Sequence, residues 1–107
     1  MSEFSERVKQ LVRDGHVRIS EHAFDELAED GLSVRDAING VEDMIVVEEY
    51  LQYPKGSCLL AFESDVEGHP FHVVWGVPKG YTEPAVLITA YRPDPHKWDS
   101  TFTRRIG

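Results

Sequence analysis

The sequence predicts an α+β fold in which two or three N-terminal helices pack on one face of a four-stranded antiparallel sheet. Apolar residues recur at helical spacing within residues 1–42, and from Met44 onward the period changes to two. The connections between the expected strands are short, whereas parallel neighbours need a crossover of about a dozen residues. The strands are therefore expected to form an antiparallel meander, with the helices on one side.

Three helices are expected before residue 43. The first carries an apolar stripe one turn apart, made of Phe4, Val8, Leu11 and Val12. Gly15 is expected to end this helix. The second runs from Glu21 to Glu29 after Ser20, which is a suitable N-cap. The third begins at the capping-box sequence of residues 33–36.

Four strands are expected after the helices, separated by turn-forming residues: Met44 to Leu51, Ser57 to Glu63, Phe71 to Val77 and Ala85 to Arg92. The second of these is almost entirely apolar, which predicts a central position in the sheet. Pro93 and Pro95 end the last strand, because proline cannot donate to a ladder. Residues 98–107 are expected to form either a short helix or an arm.

The composition predicts a single domain spanning residues 1–107 in the cytoplasm. Apolar residues make up 41% and charged residues 28%, an ordinary globular balance. No apolar run approaches the ~18 residues that a membrane helix needs, so no membrane partner is expected. The N-terminus is charged from its third residue, unlike a signal peptide, and a lone Cys58 fits a reducing compartment.

The net charge of −8, from 19 acids and 11 bases, bears on the choice of partner. Nucleic-acid-binding proteins use basic surfaces to neutralise phosphates. A role with RNA would therefore require a local basic patch in an acidic protein. The alternative is that the acidic surface serves solubility or docks a basic partner protein.

Of the five histidines, His72 is the candidate for proton transfer from its place in the sequence. His22 lies in the first turn of the second helix, where the positive helix dipole disfavours a charged ring and Glu26, one turn on, favours it. His72 lies among apolar residues of the third strand, on the face opposite the aromatic side chains. It is either a core histidine with a hydrogen-bond partner or a general acid or base. His22 is expected to be a helix-surface or packing histidine.

A metal site is not expected, and neither is a cofactor. His69 and His72 are three residues apart, so in a strand they point to opposite faces. No acidic or cysteine ligand cluster stands beside them in the sequence, whereas metal sites need three or four converging ligands.

The end of the last strand carries residue types suited to bind a nucleotide: Thr89, Tyr91, Arg92, Lys97 and Trp98. A tyrosine or tryptophan can stack on a base, and an arginine can hold a phosphate through two hydrogen bonds. Alternatively, Tyr91 and Trp98 are core or rim aromatic residues, and Arg92 pairs with Asp94.

Three motifs, in order, resemble those of a bacterial domain-of-unknown-function family: Ser20-x-His22-Ala23 with Gly31-Leu32-Ser33, Pro70-Phe71-His72-Val73-Val74, and Thr89-Ala90-Tyr91-Arg92-Pro93-Asp94 with Trp98. The resemblance covers residues from about Ile19 to Trp98. That family is similar to the BrnT, RelE and MqsR toxins, in which helices precede a four-stranded antiparallel sheet. The resemblance therefore implies a RelE-like domain.

The resemblance also implies an activity, namely metal-independent cleavage of RNA. A base would deprotonate a ribose 2′-hydroxyl, and an acid would protonate the leaving oxygen. On this resemblance His22 and His72 would transfer the protons, Arg92 would stabilise the phosphate, and Thr89 and Tyr91 would position it. The implied partners are RNA and a zinc-finger antitoxin protein of the YgiT/MqsA type.

The sequence departs from the family pattern on the second helix. Family members often carry arginines there, where this chain has Glu26 and Asp30. Anions beside a phosphate site would repel RNA by ~1 kcal/mol or more for each close charge. Either the acidic version has another role, or RNA approaches from the side of Arg92, Lys97 and the Arg104-Arg105 arm.

Three hypotheses follow. A toxin-type ribonuclease requires His22, His72 and Arg92 to converge within about 8 Å in a concave site. A non-catalytic module that binds a partner protein, or a homodimer formed through an edge strand, requires a buried His72 with its partners satisfied and an exposed apolar or acidic patch. A metal-dependent hydrolase, the third, requires three or more converging ligands.

Overall fold

The computed structural model describes residues 2–106, and they form an α+β fold with three helices and one five-stranded sheet. The elements follow one another in the order α1 (Glu3–Arg13), β1 (Val17–Ile19), α2 (Glu21–Glu29), α3 (Val34–Asn39), β2 (Ile45–Tyr50), β3 (Cys58–Ser64), β4 (Pro70–Gly76) and β5 (Ala85–Tyr91). The predicted fold class is confirmed, and so are the three helices and the four strands that follow them.

The prediction of a purely antiparallel, four-stranded sheet is wrong. The strand β1 pairs in parallel with β5, and the sheet order is β1-β5-β4-β3-β2. A parallel pair needs a long connection, and here the helices α2 and α3 and the strands β2 to β4 form it. With only three residues, β1 is too short for its periodicity to be recognised in the sequence.

The helices begin where the sequence places their caps. The Ser20 hydroxyl accepts a hydrogen bond from Ala23 N–H at 3.0 Å and so caps α2. At α3, Ser33 and Asp36 form a complete capping box. After α1, Gly15 has a φ of 76°, a left-handed conformation that glycine adopts without strain and that redirects the chain into β1.

The two faces of the sheet differ in what covers them. The first face carries the fully buried Phe71, Val73 and Trp75 of β4, which belong to one hydrophobic core with the buried residues of the three helices. We call the opposite face, which carries His72 and Val74, the open face. Alternation along the strand dictates this division, since successive side chains point to opposite sides.

The chain after β5 returns across the open face as an arm. Trp98 and Arg105 form an antiparallel bridge, Asp99 N–H donates to the Arg104 carbonyl at 2.9 Å, and Ile106 N–H donates to the Lys97 carbonyl at 3.0 Å. Of the two predicted alternatives for the tail, the arm is therefore the one observed. We call residues 97–106 the C-terminal arm.

Candidate functional site

The open face has His72 at its centre. In the sheet register Phe62, His72 and Tyr91 lie opposite one another on β3, β4 and β5, so their side chains share this face. The His72 ring lies 5.6 Å from the Tyr91 ring and 4.5 Å from Trp98, which meets it edge to face. Together with the C-terminal arm, these rings leave His72 with no exposed surface.

The two ring nitrogens of His72 have different surroundings. Nε2 lies 2.7 Å from the Phe102 carbonyl of the arm, so in the neutral ring Nε2 carries the proton and donates it. Nδ1 is then an acceptor, and it has no hydrogen-bond partner among residues 2–106. Burial, the largest influence, lowers the pKa of His72, although the Phe102 carbonyl opposes it. The ring is therefore neutral at pH 7 with one free lone pair.

Tyr91 is the hydroxyl-bearing ring that lies beside His72, with the two ring centres 5.6 Å apart. Burial, the largest influence, raises the pKa of its hydroxyl; the positive charge of Arg105 opposes this effect, and the negative charges of Glu48 and Glu26 add to it. Tyr91 therefore stays protonated and can donate a proton, while neutral His72 can accept one. The open face thus pairs a weak acid with an unprotonated base, which is a chemically complementary arrangement.

An ion pair holds the arm at the edge of this site. Arg105 Nε donates to Glu48 Oε2 at 2.8 Å, and the guanidinium lies 4.7 Å from the centre of the Trp98 ring. Tyr50 donates a short hydrogen bond to the same carboxylate. The Arg105 contact lowers the pKa of Glu48 and raises that of Arg105 itself. Glu48 and Tyr50 gave no signal in the sequence, since both look like surface residues of a strand.

His22 and Thr89 form a neighbouring group around one carboxylate. His22 Nε2 lies 3.1 Å from Glu26 Oε1, and the Thr89 hydroxyl donates a short hydrogen bond to the same oxygen. The His22 side chain is 70% exposed, so it stands at the rim. Glu26 thus links two residues of the candidate set and also influences Tyr91. It is not a free anion beside the site.

The Arg92 side chain pairs with groups other than His72, Tyr91 and Trp98. Its guanidinium donates to Asp65 Oδ2 at 2.9 Å and to the Pro70 carbonyl at 3.1 Å, and its backbone N–H donates to Asp30 Oδ2 at 2.9 Å. The pairing of Arg92 with Asp94, weighed from the sequence, is therefore not the one formed. Asp30 therefore accepts a hydrogen bond from the backbone at the end of β5.

The remaining candidates belong to the C-terminal arm. Trp98 is buried against His72, so its ring is not available to a base while the arm lies in place, and the Lys97 side chain is exposed. The site therefore brings together His72, Tyr91 and Trp98. It places Thr89 and His22 beside them through Glu26, and it ties Arg92 to Asp65.

A second buried titratable group lies on the helical face of the sheet. Glu63 is 1% exposed, and its Oε2 accepts a hydrogen bond from Trp75 Nε1 at 3.3 Å, while Oε1 has no partner among the residues described. Burial raises the pKa of Glu63 to about 8. A Cβ at Gly40 would lie 2.6 Å from Oε1, so the absence of a side chain there makes room for the carboxyl group.

Residues 2–106 contain no group of three or more His, Cys, Asp or Glu side chains placed to hold a metal ion. None of the helices in the same range is long and apolar enough to cross a membrane.

The sequence matches the profile of a known family, described as Domain of unknown function (DUF4258), over residues 19–92. Because this match covers more than half of the chain, the protein belongs to that family, as the motifs predicted. No curated protein and no solved structure shows significant similarity to the chain.

Proposed function

We propose that this protein is a metal-independent endoribonuclease of the RelE/MqsR toxin type, and that its reaction takes place at His72 and Tyr91 on the open face. The observation that carries the proposal is the neutral His72 ring, whose Nδ1 has no partner, next to a tyrosine whose pKa is raised. A base with a free lone pair and an acid that keeps its proton are what cleavage through a ribose 2′-hydroxyl requires.

In this proposal His72 Nδ1 takes the proton of the 2′-hydroxyl, whose oxygen then attacks the adjacent phosphorus. The bond from phosphorus to the 5′-oxygen breaks, and Tyr91 protonates that oxygen. Arg105, on the arm, is a cation whose charge acts on both rings, and it would stabilise the negative charge that builds on the phosphate when the arm closes over the bound RNA. His22 and Thr89, linked through Glu26, would position the ribose at the rim.

The C-terminal arm must move before RNA can reach His72. Three contacts hold it: the edge-to-face contact of Trp98 with His72, the hydrogen bond from His72 to the Phe102 carbonyl, and the ion pair of Arg105 with Glu48. Displacement of the arm would move Trp98 away and expose His72 and Tyr91 together. The proposed partners are RNA and, in a toxin–antitoxin pair, a zinc-finger antitoxin protein.

The second candidate is a non-catalytic module of the same fold that binds a partner protein. The complete burial of His72 and the ion pair that neutralises Arg92 favour it. The edge strand β2 carries the exposed Ile45 and Tyr50 and would be the place for strand addition, either by a partner or by a second copy of the chain.

Cleavage of a mixed-sequence RNA in EDTA tests the ribonuclease proposal. We expect Tyr91→Phe, which keeps the ring, and His72→Gln each to lower the rate by about 100-fold or more, the usual contribution of a general acid or base. Val66→Ala, which shortens an exposed side chain in the turn between β3 and β4, should leave the rate unchanged.

Trp98→Ala is the companion variant, because it loosens the arm and should raise the rate. If neither the folded wild type nor Trp98→Ala cleaves RNA at low salt, the ribonuclease proposal is wrong and the partner-binding module takes its place.

A further inference from the structure

The end of the sheet remote from His72 carries a cluster of cations that pair with no acid. Seven exposed basic side chains form no ion pair and no hydrogen bond within residues 2–106, and four of them lie together here: Arg7, Arg18, Lys55 and Lys79. They line two adjoining clefts of about 280 and 390 Å³. No Asp or Glu among the described residues lines either cleft, although acids outnumber bases in the chain by 19 to 11.

Two exposed aromatic rings accompany these cations. Tyr53 is 52% exposed and lines both clefts, and Tyr81 is 69% exposed and lines the smaller one. Both side chains stand in loops, where no apolar core requires a ring. Cations that follow a phosphate backbone, next to rings on which bases can stack, are the features of a surface that binds single-stranded nucleic acid.

The two loops that carry the cluster are fixed against each other. Lys79 N–H donates to the Lys55 carbonyl at 3.0 Å, and Val77 N–H donates to the Ser57 carbonyl at 3.0 Å. Gly56 makes this approach possible: it has a φ of 130°, and a Cβ there would lie 2.2 Å from the Val77 carbonyl oxygen. The lysines therefore project from a prearranged pair of loops.

The larger cleft lies on the same face of the sheet as His72. Gly76 lines that cleft and follows His72 by four residues on β4, a separation of about 13 Å along the strand at ~3.3 Å per residue. Arg18 borders it from β1, in register with Val86 of β5. A strand of nucleic acid held at the cleft could thus extend along β4 to the rings around His72.

We propose that this cluster, Arg7, Arg18, Lys55 and Lys79 with Tyr53 and Tyr81, is a docking surface for single-stranded RNA. This docking surface would hold the substrate of the proposed ribonuclease. The claim that the bound strand is the substrate rests on that proposed function. Phosphates are held by the four cations, and bases stack on the two tyrosines. The occupant is RNA rather than an acidic protein segment, because exposed rings beside the cations match stacked bases.

Binding is measured apart from cleavage, with a fluorescent 12-nucleotide oligomer whose 2′-O-methyl groups prevent the reaction. For four phosphate contacts we expect the slope of log Kobs against log salt to be about −2.8, which means roughly 50-fold weaker binding at 200 mM than at 50 mM salt. The double variant Lys55→Ala/Lys79→Ala should reduce the slope to about −1.4.

Arg35→Glu is the matched control, because it also changes the net charge by two but alters an exposed arginine on α3, outside both clefts. It should retain nearly the full slope. Tyr53→Ala should weaken binding about tenfold, whereas Tyr53→Phe, which keeps a ring for stacking, should bind like wild type.

Equal losses in Arg35→Glu and in the double variant would overturn the proposal, since binding would then follow net charge alone. It is also overturned if the folded protein binds a glutamate-rich peptide through these lysines but no RNA. Retained binding without any cleavage would refute the ribonuclease activity and leave the docking surface intact. If the variant Lys55→Ala/Lys79→Ala cleaves RNA as fast as the wild type, the docking surface is refuted and the ribonuclease activity stands.

Discussion

The two ends of the sheet differ in how their cations and aromatic rings are covered. At the His72 end two arginines are neutralised, Arg105 by Glu48 and Arg92 by Asp65, and aromatic rings bury the histidine. The exposed Lys97 and Arg104 of the arm form no ion pair within residues 2–106, but they stand beside these neutralised arginines. At the loop end four cations have no partner within the described chain, and two tyrosines face solvent. In a protein with a net charge of −8, such local unpaired positive charge is what electrostatic attraction of a polyanion requires.

This difference shows why net charge is a poor guide to the partner of this protein. Salt bridges within the chain neutralise some of the cations, whereas others line two clefts that no Asp or Glu of the described residues lines. The end that could carry chemistry is closed by the chain itself, and the end that could bind a ligand is open. If both proposals hold, recognition of RNA precedes access to His72.

The largest expected effect is on stability, from truncating one ring at each end. Trp98 is 5% exposed, so we expect Trp98→Ala to lower the free energy of unfolding by about 3 kcal/mol, from lost burial and the cavity left behind. Tyr81 is 69% exposed, and Tyr81→Ala should change that free energy by less than about 0.5 kcal/mol. Urea unfolding followed by circular dichroism measures both. Similar values for the two variants would remove the distinction between the ends.

The next effect is the pH dependence that the burial of His72 produces. The folded state holds the pKa of His72 below 6.5, so the unfolded state binds more protons as the pH falls through that value. Stability should therefore decrease below about pH 6.5, with a slope of up to ~1.4 kcal/mol per pH unit.

Glu63 changes the pH dependence of stability in the opposite direction, so its carboxyl group must be removed for this measurement. With a folded pKa of about 8 against 4.5 when exposed, it binds more protons in the folded state, so its contribution to stability is lost as the pH rises from about 4.5 to 8. We would compare Glu63→Gln with Glu63→Gln/His72→Asn by urea unfolding from pH 8 to 5. Identical curves would mean that the arm leaves His72 open to solvent.

The smallest effect sharpens the contrast between the paired and the unpaired cations. Arg105→Ala breaks a partly exposed ion pair and a contact with Trp98, so it should cost about 1 kcal/mol or less, and 1 M salt should reduce that cost. Lys79→Ala removes a cation without a partner and should leave stability nearly unchanged or slightly raised. Thermal unfolding at low and high salt tests both variants. A salt-sensitive loss in Lys79→Ala would show that this lysine is paired after all.

The sequence determined the features that depend on neighbours along the chain. Capping residues placed α2 and α3, the apolar period placed the helices and β2 to β5, and the alternation along β4 put His72 opposite Phe71 and Val73. The three motifs led to the correct family. All of these are short-range regularities, which propensity, capping and periodicity encode locally.

Only the tertiary structure decided which distant groups meet. The parallel partner of β1 lies on the far strand β5, the arm returns from the end of the chain to cover His72, and Arg92 pairs with Asp65 from another loop. Likewise, Arg7, Arg18, Lys55 and Lys79 are scattered in sequence and become one cluster in space. Contacts of this kind depend on strand register and chain path, which arise from packing the whole core together, so no local pattern of residues reveals them.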